Sequence, residues 1–257
     1  MHYFDFGDNW QNYSRFAFTP EKFLAAKKSL LIFFKSEQIK SKKVIDIGCG
    51  SGIFSLAFLE LGATEVTATD INPKCLAATQ ANYQKSESLK TMNAPLTLIR
   101  DDILNSNLSG YFDIVYSWGV LHHTGKMYQA IDACTKLVAP GGFLFIALYN
   151  RHWSSPLWRI VKYFYNLSPS FFKKIMIFLF YLPVLLAKCF ITRANPWHKT
   201  RGMDFYYDLV DWLGGYPYEY ASSEEIVNYI VPQGFSLIKS IPAAVPTGCN
   251  EFLFMRK

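Results

Sequence analysis

The sequence predicts an α/β fold with a seven-stranded, doubly wound sheet and a mainly helical insertion after the fifth strand. Apolar, strand-like runs alternate with helical patterns between residues 41 and 150, which is typical of parallel sheets. Two further strand-like runs close the chain and are near enough to form an antiparallel hairpin. The stretch from Asn150 to Ala221 is too long for a simple connection, so we expect it to be an insertion.

The first and last parts of the chain are predicted to complete this core. Residues 1–40 form a helical N-terminal cap, in which Thr19 and Pro20 have the pattern of a helix start. The core covers residues 41–150 and the insertion covers residues 151–221. Residues 222–257 return to the core with the helix "SSEEIVNYI" and the strands "FSLIKSI" and "NEFLFMRK".

Composition limits the class of protein. A chain of 257 residues with 51% hydrophobic content buries at least one large core, which excludes a disordered or fibrous protein. Its five cysteines are scattered without a C-x-x-C pair, so we expect neither a disulfide framework nor a metal site. The N-terminal "MHYFDFGDNW" lacks the features of a signal peptide, and we therefore predict a cytoplasmic protein.

A glycine loop, "GCGSG", follows the first predicted strand, "VIDI". Glycines there let the backbone approach a ligand, and the next helix offers free N–H groups. The third glycine of a dinucleotide fingerprint would stand at Ile53, and no P-loop lysine follows Gly52. Acids end the second strand (Asp70) and follow the third (Asp102), and carboxylates accept hydrogen bonds from hydroxyl groups while repelling phosphates.

Five stretches carry a specific resemblance: "VIDIGCGSG", "ATDIN", "RDDIL", "FDIVYSWGVLHH" and "LVAPGGFLFIAL". In this order they resemble the motifs of the class I S-adenosylmethionine (SAM)-dependent methyltransferases, over about residues 40 to 150. The resemblance implies a Rossmann-like core and SAM as cofactor. The chain also looks like bacterial methyltransferases of the ubiquinone and sugar-methylase type.

The resemblance also implies the cofactor site. The glycine loop would pass under the amino acid part of SAM, Asp70 would bind the ribose hydroxyls and Asp102 would meet the adenine amino group. Asp46 would act near the methionine ammonium, through water. The predicted cofactor-binding residues are Asp46, Gly48, Cys49, Gly50, Gly52, Asp70, Ile71, Asp102, Ile103, Ser117 and Trp118.

Four residues are predicted to serve the acceptor and the chemistry. His122 and His123 follow the fourth strand, where the methyl group should project, and a histidine there suits a general base. Packing or capping is the alternative for each. Tyr149 and Asp204 are expected at the acceptor pocket, since aromatic and carboxylate side chains stand together in "RGMDFYYDLVDWLGGYPYEYA", although these acids could instead pair with the preceding basic residues. Trp10 and Tyr13 are expected to fold over the cofactor's mouth or to pack.

The basic residues of the insertion are concentrated. Nine Lys or Arg and no Asp or Glu lie between Arg151 and Arg201. Three alternatives stay open for this segment: an interfacial helix at a membrane, a lid over a hydrophobic or phosphate-bearing acceptor, and a helical lobe packed on the core or on a second subunit. Its longest uncharged apolar run, Ile175 to Ala187, has 13 residues, and we expect it to be too short to span a bilayer.

These observations predict a SAM-dependent methyltransferase acting on an oxygen of a small or lipid-linked molecule. The strand-four motif is "SWGV" rather than Asn/Asp-Pro-Pro-Tyr/Phe, so DNA is not expected as a partner. RNA or protein methylation, and SAM binding without turnover, are the alternatives. A peripheral membrane contact through residues 151–201 and a homo-oligomer are also open.

Overall fold

The computed structural model describes residues 4–91, 95–193 and 201–257. Within these ranges one sheet is flanked by helices on both faces. The strands are β1 (Lys43–Ile47), β2 (Glu65–Asp70), β3 (Leu96–Arg100), β4 (Phe112–Trp118), β5 (Val138–Tyr149), β6 (Phe235–Ile241) and β7 (Cys249–Arg256). The helices are α1 (Phe6–Phe16), α2 (Pro20–Phe33), α3 (Ser36–Ile39), α4 (Ile53–Glu60), α5 (Pro73–Lys85), α6 (Glu87–Thr91), α7 (Met127–Leu137), α8 (Ser155–Leu167), α9 (Ser170–Thr192), α10 (Phe205–Gly214) and α11 (Ser223–Ile230).

The strand order confirms the predicted doubly wound sheet. It runs β3-β2-β1-β4-β5-β7-β6, with the first five strands parallel. The hairpin of β6 and β7 is antiparallel, and β7 lies between β5 and β6. Because β7 is reversed, its first residues lie at the same edge as the carboxyl ends of the parallel strands. That edge is where doubly wound folds bind ligands.

Alternate residues of each strand supply two apolar layers. Val44 and Tyr116 face the layer that α2 and α4 cover, and the Tyr116 ring stacks on Phe145 with centroids 4.8 Å apart. Ile45 and Val115, one residue along each strand, face the layer that α7 and α11 cover. This two-residue period follows from the pleat of a strand, and it buries both faces of the sheet.

Side chains at the predicted helix starts make the expected caps. Thr19 accepts a hydrogen bond from the backbone of Lys22 ahead of α2. Asn72 accepts one from the backbone of Lys74 at the start of α5. Ser222 and Glu225 form a reciprocal capping box on α11. Each cap satisfies N–H groups that the helix itself leaves unpaired, which fixes the boundary.

The insertion consists of α8, α9 and α10, as its predicted helical character required. Helix α9 is longer than its uncharged run suggested. It has 23 residues and continues through Pro183, whose ring lies on the exposed side. Among the described residues, α9 is long and apolar enough to cross a membrane, which corrects the expectation from the 13-residue run.

Candidate functional site

A cavity of about 1070 Å³ opens at the carboxyl edge of the sheet. Ligand pockets usually measure about 300 to 1,000 Å³, so this cavity has room for two ligands side by side. One end is lined by the glycine loop and by residues that follow β2 and β3. The other end is lined by the residues that follow β4 and β5, by the insertion and by the loop before β7.

Gly48 forms the floor of the first end. Its φ is 73°, a left-handed conformation that glycine adopts without strain, and its backbone N–H donates to the Thr69 carbonyl at 2.8 Å. A Cβ at Gly48 would lie 2.4 Å from a methyl carbon of Val120. The position therefore excludes a side chain, and a ligand lying on the loop meets bare backbone.

Two carboxylates line this end beside the glycine. Asp70 accepts hydrogen bonds from the backbone N–H groups of Asn72 at 2.8 Å and of Gly50 at 3.2 Å. Burial raises the pKa of the Asp70 carboxyl. Asp102 accepts from the Leu104 backbone at 3.1 Å and so caps a short 3₁₀ helix. Both carboxylates therefore have fixed orientations, and both face the cavity, as do the neighbouring Ile71 and Ile103.

Five predicted cofactor residues do not line the cavity: Asp46, Cys49, Gly50, Gly52 and Ser117. Asp46 is buried, accepts from the Ser55 hydroxyl at 2.5 Å, and has its pKa raised to about 7 by burial. Ser117 is buried with its hydroxyl donating to the Ile47 carbonyl. Gly50 is covered by the Trp10 indole, which itself lines the cavity. These residues therefore lie behind the cavity wall and support the residues that line it.

His123 lines the cavity, and its two ring nitrogens have different surroundings. Its Nδ1 lies 2.7 Å from the Pro217 carbonyl oxygen, and because that oxygen only accepts, Nδ1 carries the proton. Burial lowers the pKa of His123 to about 3. The imidazole is therefore neutral near pH 7, with a lone pair on Nε2.

His122 has the opposite tautomer. The backbone N–H of Tyr149 donates to its Nδ1 at 3.2 Å, so the proton of the neutral ring lies on Nε2. Burial lowers the pKa of His122 well below its usual value. Its Nε2 is buried without a hydrogen-bond partner among the described residues, although the ring lines the cavity. His122 is thus a hydrogen-bond donor and His123 an acceptor.

Tyr149 stands against both histidines and against a buried lysine. Its ring centroid is 4.0 Å from that of His122, and burial raises the pKa of the phenol well above its usual value. The Lys162 Nζ, fully buried, lies 4.8 Å from the ring centroids of both Trp212 and Tyr218. Burial lowers the pKa of Lys162 to about 7. The aromatic rings hold the amine in place of hydrogen bonds.

Asp204, which was predicted at the acceptor pocket, is not among the residues that line the cavity. Its carboxylate caps α10 through the Tyr206 backbone N–H at 3.0 Å and pairs with the Lys22 ammonium at 3.0 Å. Asp208 and Asp211 follow on the same helix, and the Asp204 carbonyl oxygen accepts from the Asp208 backbone N–H at 2.9 Å. Those two acids do line the cavity.

A polar cluster at the second end was missed by the sequence analysis. Glu251 on β7 accepts from the Trp118 indole N–H at 3.0 Å and pairs with Arg201, whose guanidinium lies 5.2 Å from the Trp118 ring centroid. All three residues line the cavity, and only Trp118 was predicted there. The signal was present in the sequence as a lone acid within the apolar strand "CNEFLF".

The rest of the second end is mainly apolar. Trp158 from α8, Val184 from α9 and Trp212 from α10 form one wall. Lys188 and Asp208 add an ion pair of 2.8 Å to this wall. The opposite wall is the loop from 241 to 249 that connects β6 to β7. An acceptor bound here would contact rings and aliphatic groups with a few fixed charges.

The chain matches a known protein family over part of its length. Residues 45–146 match the family described as "Methyltransferase domain". These residues run from β1 to β5 and include the glycine loop, both carboxylates and both histidines. Residues 45–146 are thus similar to methyltransferase domains.

Curated relatives match about half of the chain. The ubiquinone biosynthesis O-methyltransferase of Psychrobacter arcticus is 34% identical over 126 residues, 48% of this chain and 47% of that protein. The protein of the same name from Pseudomonas fluorescens is 34% identical over 133 residues, 51% of this chain and 55% of that protein. The chain thus spans about half the length of the curated relatives it matches.

Solved structures share the fold over most of the chain. Magnesium protoporphyrin IX methyltransferase of Synechocystis PCC 6803 with bound SAH, the demethylated product of SAM, has a TM-score of 0.57 at 15% identity. The matched region covers 92% of this chain and 82% of the Synechocystis chain. A SAM-dependent methyltransferase from Mesorhizobium loti has a TM-score of 0.56 at 17% identity. The matched region covers 90% of this chain and 98% of that one. Together with the family match, this fold confirms the resemblance to class I methyltransferases.

Proposed function

We propose that this protein transfers a methyl group from SAM to an oxygen atom of a small or lipid-linked molecule. The observation that carries the proposal is that both sets of groups line one cavity. Fixed carboxylates, Asp70 and Asp102, line one end, and His123, a neutral base, lines the other. The relatives' name, O-methyltransferase, supports an oxygen acceptor.

The first end fits SAM. Gly48 leaves bare backbone where a Cβ would strike Val120, so the chain can lie close to the cofactor's amino acid part. Asp70 holds its carboxylate at the carboxyl end of β2, where it can accept from two ribose hydroxyls. Asp102 stands after β3, within the adenine part of the site. A cationic sulfonium is also favoured by the acids that line the cavity.

When bound, SAM supplies an activated methyl group on its sulfonium, so that a carbon–oxygen bond forms as the carbon–sulfur bond breaks and SAH leaves. The protein must align the acceptor oxygen and take its proton. His123 Nε2 is the group that takes this proton, because its lone pair is free and Nδ1 is held by Pro217. His122 Nε2–H donates to the acceptor and orients it.

Lys162 favours the neutral form of both histidines without touching the acceptor. Its charge, where present, lowers the pKa of both histidines, although burial is the larger cause. The aromatic rings of Tyr149, Trp212 and Tyr218 separate the amine from the cavity. The apolar second end favours an acceptor with a ring or an alkyl chain.

We propose the cytoplasm as the compartment of this reaction. All five cysteines are free thiols, and four of them, Cys49, Cys75, Cys134 and Cys249, have pKa values that burial raises, so they are poor nucleophiles. Free thiols are typical of a reducing compartment.

Incubation with methyl-labelled SAM and a panel of hydroxylated acceptors tests the proposal. The panel should contain phenols, prenylated phenols, sugars and RNA. We expect label in a hydroxyl-bearing organic product and its loss in His123→Ala. Label in RNA alone, or no transfer to any hydroxyl despite SAM binding, would contradict the proposed acceptor class.

A further inference from the structure

Helices α8 and α9 expose an apolar face that no part of the described chain covers. We define this apolar face by six side chains: Ile160, Phe164, Phe171, Phe178, Leu182 and Phe190. Phe178 and Phe190 are each 79% exposed. The four residues on α9 recur at steps of seven, four and eight positions, so they lie in one stripe along the helix. Soluble monomers seldom expose so much contiguous apolar surface without a partner.

The opposite side of α9 is packed against the protein. Met176 and Phe180 contact the cluster that contains Tyr165, Leu209 and Leu213. With one side held by α8 and α10, α9 cannot be surrounded by lipid as a spanning helix is. At about 1.5 Å per residue, its 23 residues lie as a rod of about 35 Å along the surface. A helix of this kind suits the plane of a membrane interface.

The charged residues beside the apolar face indicate which kind of partner binds it. Arg159, Lys174 and Arg193 are exposed on or beside these helices. The described chain from Arg151 to Arg193 contains no acid. A second copy related by a two-fold axis would bring these like charges together without an acid of the same segment to pair them. An anionic lipid surface would instead pair with them while burying the rings and alkyl groups.

We propose that the apolar face of α8 and α9 docks on an anionic lipid bilayer. Val184, Ala187 and Ile191 of α9 line the second end of the cavity, so α9 separates the cavity from the docking surface. Docking would hold the acceptor end of the cavity about one helix diameter, ~10 Å, from the bilayer. The docking rests on the exposed side chains and does not depend on the proposed methyl transfer.

Vesicle flotation of the full chain tests this docking. Vesicles of phosphatidylcholine alone are compared with vesicles that also contain phosphatidylglycerol. We expect the protein to float with the anionic vesicles, to float less with the neutral ones, and to lose binding as salt is raised. The triple variant Phe178→Gln/Leu182→Gln/Phe190→Gln should bind vesicles at least about tenfold more weakly, because three apolar groups no longer enter the interface.

Two controls allow the flotation result to be interpreted. Phe16→Gln changes a residue that is 71% exposed on α1, away from the apolar face, and should float like the unmodified protein. Sedimentation and SAM titration without vesicles show whether the triple variant stays folded and competent. Absence of flotation with anionic vesicles, or equal flotation of the triple variant, would overturn the docking. A dimer that the triple variant dissociates, without vesicle binding, would overturn it in favour of a second copy. If the unmodified chain did not bind SAM, that result would overturn the proposed function and leave the docking unaffected.

Discussion

His123 Nδ1 donates to the carbonyl oxygen of Pro217 at 2.7 Å, and this one contact decides which ring nitrogen can act as a base. Pro217 lies in the segment between α10 and α11, whereas His123 follows β4. The contact thus joins the core of the fold to the end of the insertion. It leaves the lone pair of a neutral imidazole on Nε2, in a ring that lines the cavity.

The two histidines should differ by nuclear magnetic resonance. Long-range nitrogen–proton correlations near pH 7 should show His123 protonated on Nδ1 and His122 protonated on Nε2. Since burial lowers the pKa of His123 to about 3, its signals should not titrate between pH 5 and 8. Titration of His123 near its usual pKa of about 6.5 would contradict the account of a buried neutral base.

Replacement of His123 should reduce turnover more than replacement of His122. A general base contributes about 10²- to 10⁴-fold, so His123→Ala should lose at least about a hundredfold in kcat with SAM affinity kept. His122→Ala removes a hydrogen-bond donor and should lose about ten- to a hundredfold. Single-turnover transfer of labelled methyl measures both. Full activity of His123→Ala would assign the proton to water.

Gly215→Ala should displace the His123 ring, although the two residues are distant in sequence. The backbone of Gly215 has φ −55°, which alanine adopts freely. A Cβ there would lie 2.4 Å from Cε1 of the His123 ring, so the ring must move. We expect kcat to fall by about tenfold or more because misplacement of a catalytic group is costly. Calorimetry should show unchanged SAM affinity, and unchanged kcat would place His123 outside the reaction.

Asp70→Ala should weaken SAM binding by about ten- to a hundredfold, since hydrogen bonds to a charged group contribute about 1.5 to 3 kcal/mol. Asp204→Ala is the matched control. Asp204 caps α10 outside the cavity, so its loss should lower the free energy of unfolding by about 1 kcal/mol and leave SAM affinity unchanged. Calorimetry and urea unfolding measure the two effects. Equal losses of affinity in both variants would refute the ribose assignment.

Lys162→Met should flatten the pH dependence of stability. Burial lowers the pKa of Lys162 to about 7 in the folded chain, against about 10.4 when unfolded. Between these values the unfolded chain binds the extra proton, so stability rises as pH rises from about 7 to about 10 and falls as pH returns to about 7, below which it levels off. The gain from pH 7 to 9 is about 2 kcal/mol and should vanish in the variant.

Lys136→Met serves as the control for Lys162, because Lys136 is exposed on α7. Its unfolding free energy, measured in urea at pH 7 and 9, should follow that of the unmodified protein. An identical pH dependence in Lys162→Met and Lys136→Met would show that the buried amine carries no pKa shift.

Local patterns predicted the fold well where one short-range interaction decides the structure. Thr19, Asn72 and Ser222 each announce a helix start, because a cap needs only its own side chain and the next N–H groups. The alternation of strand and helix patterns predicted the doubly wound sheet. The pattern also brought Asp70, Asp102 and His123 to one edge, since carboxyl ends of parallel strands meet there.

The remainder depends on contacts between distant residues. Glu251 lies at the cavity because β7 inserts in reverse between β5 and β6, which no local pattern in β7 reveals. The choice of His123 over His122 as base depends on Pro217, 94 positions away. The ion pair of Asp204 with Lys22, 182 positions away, is likewise not visible in the local sequence. Helix α9 extends beyond the uncharged run from Ile175 to Ala187 at both ends, because lysines are good helix formers and do not interrupt a helix.

Titration calorimetry of the protein with SAM, and separately with SAH and NAD, tests the central claim most directly. The account predicts micromolar binding of SAM and SAH and no binding of NAD. Binding of NAD, or no heat with either SAM or SAH from folded protein, would contradict the cofactor assignment of the cavity.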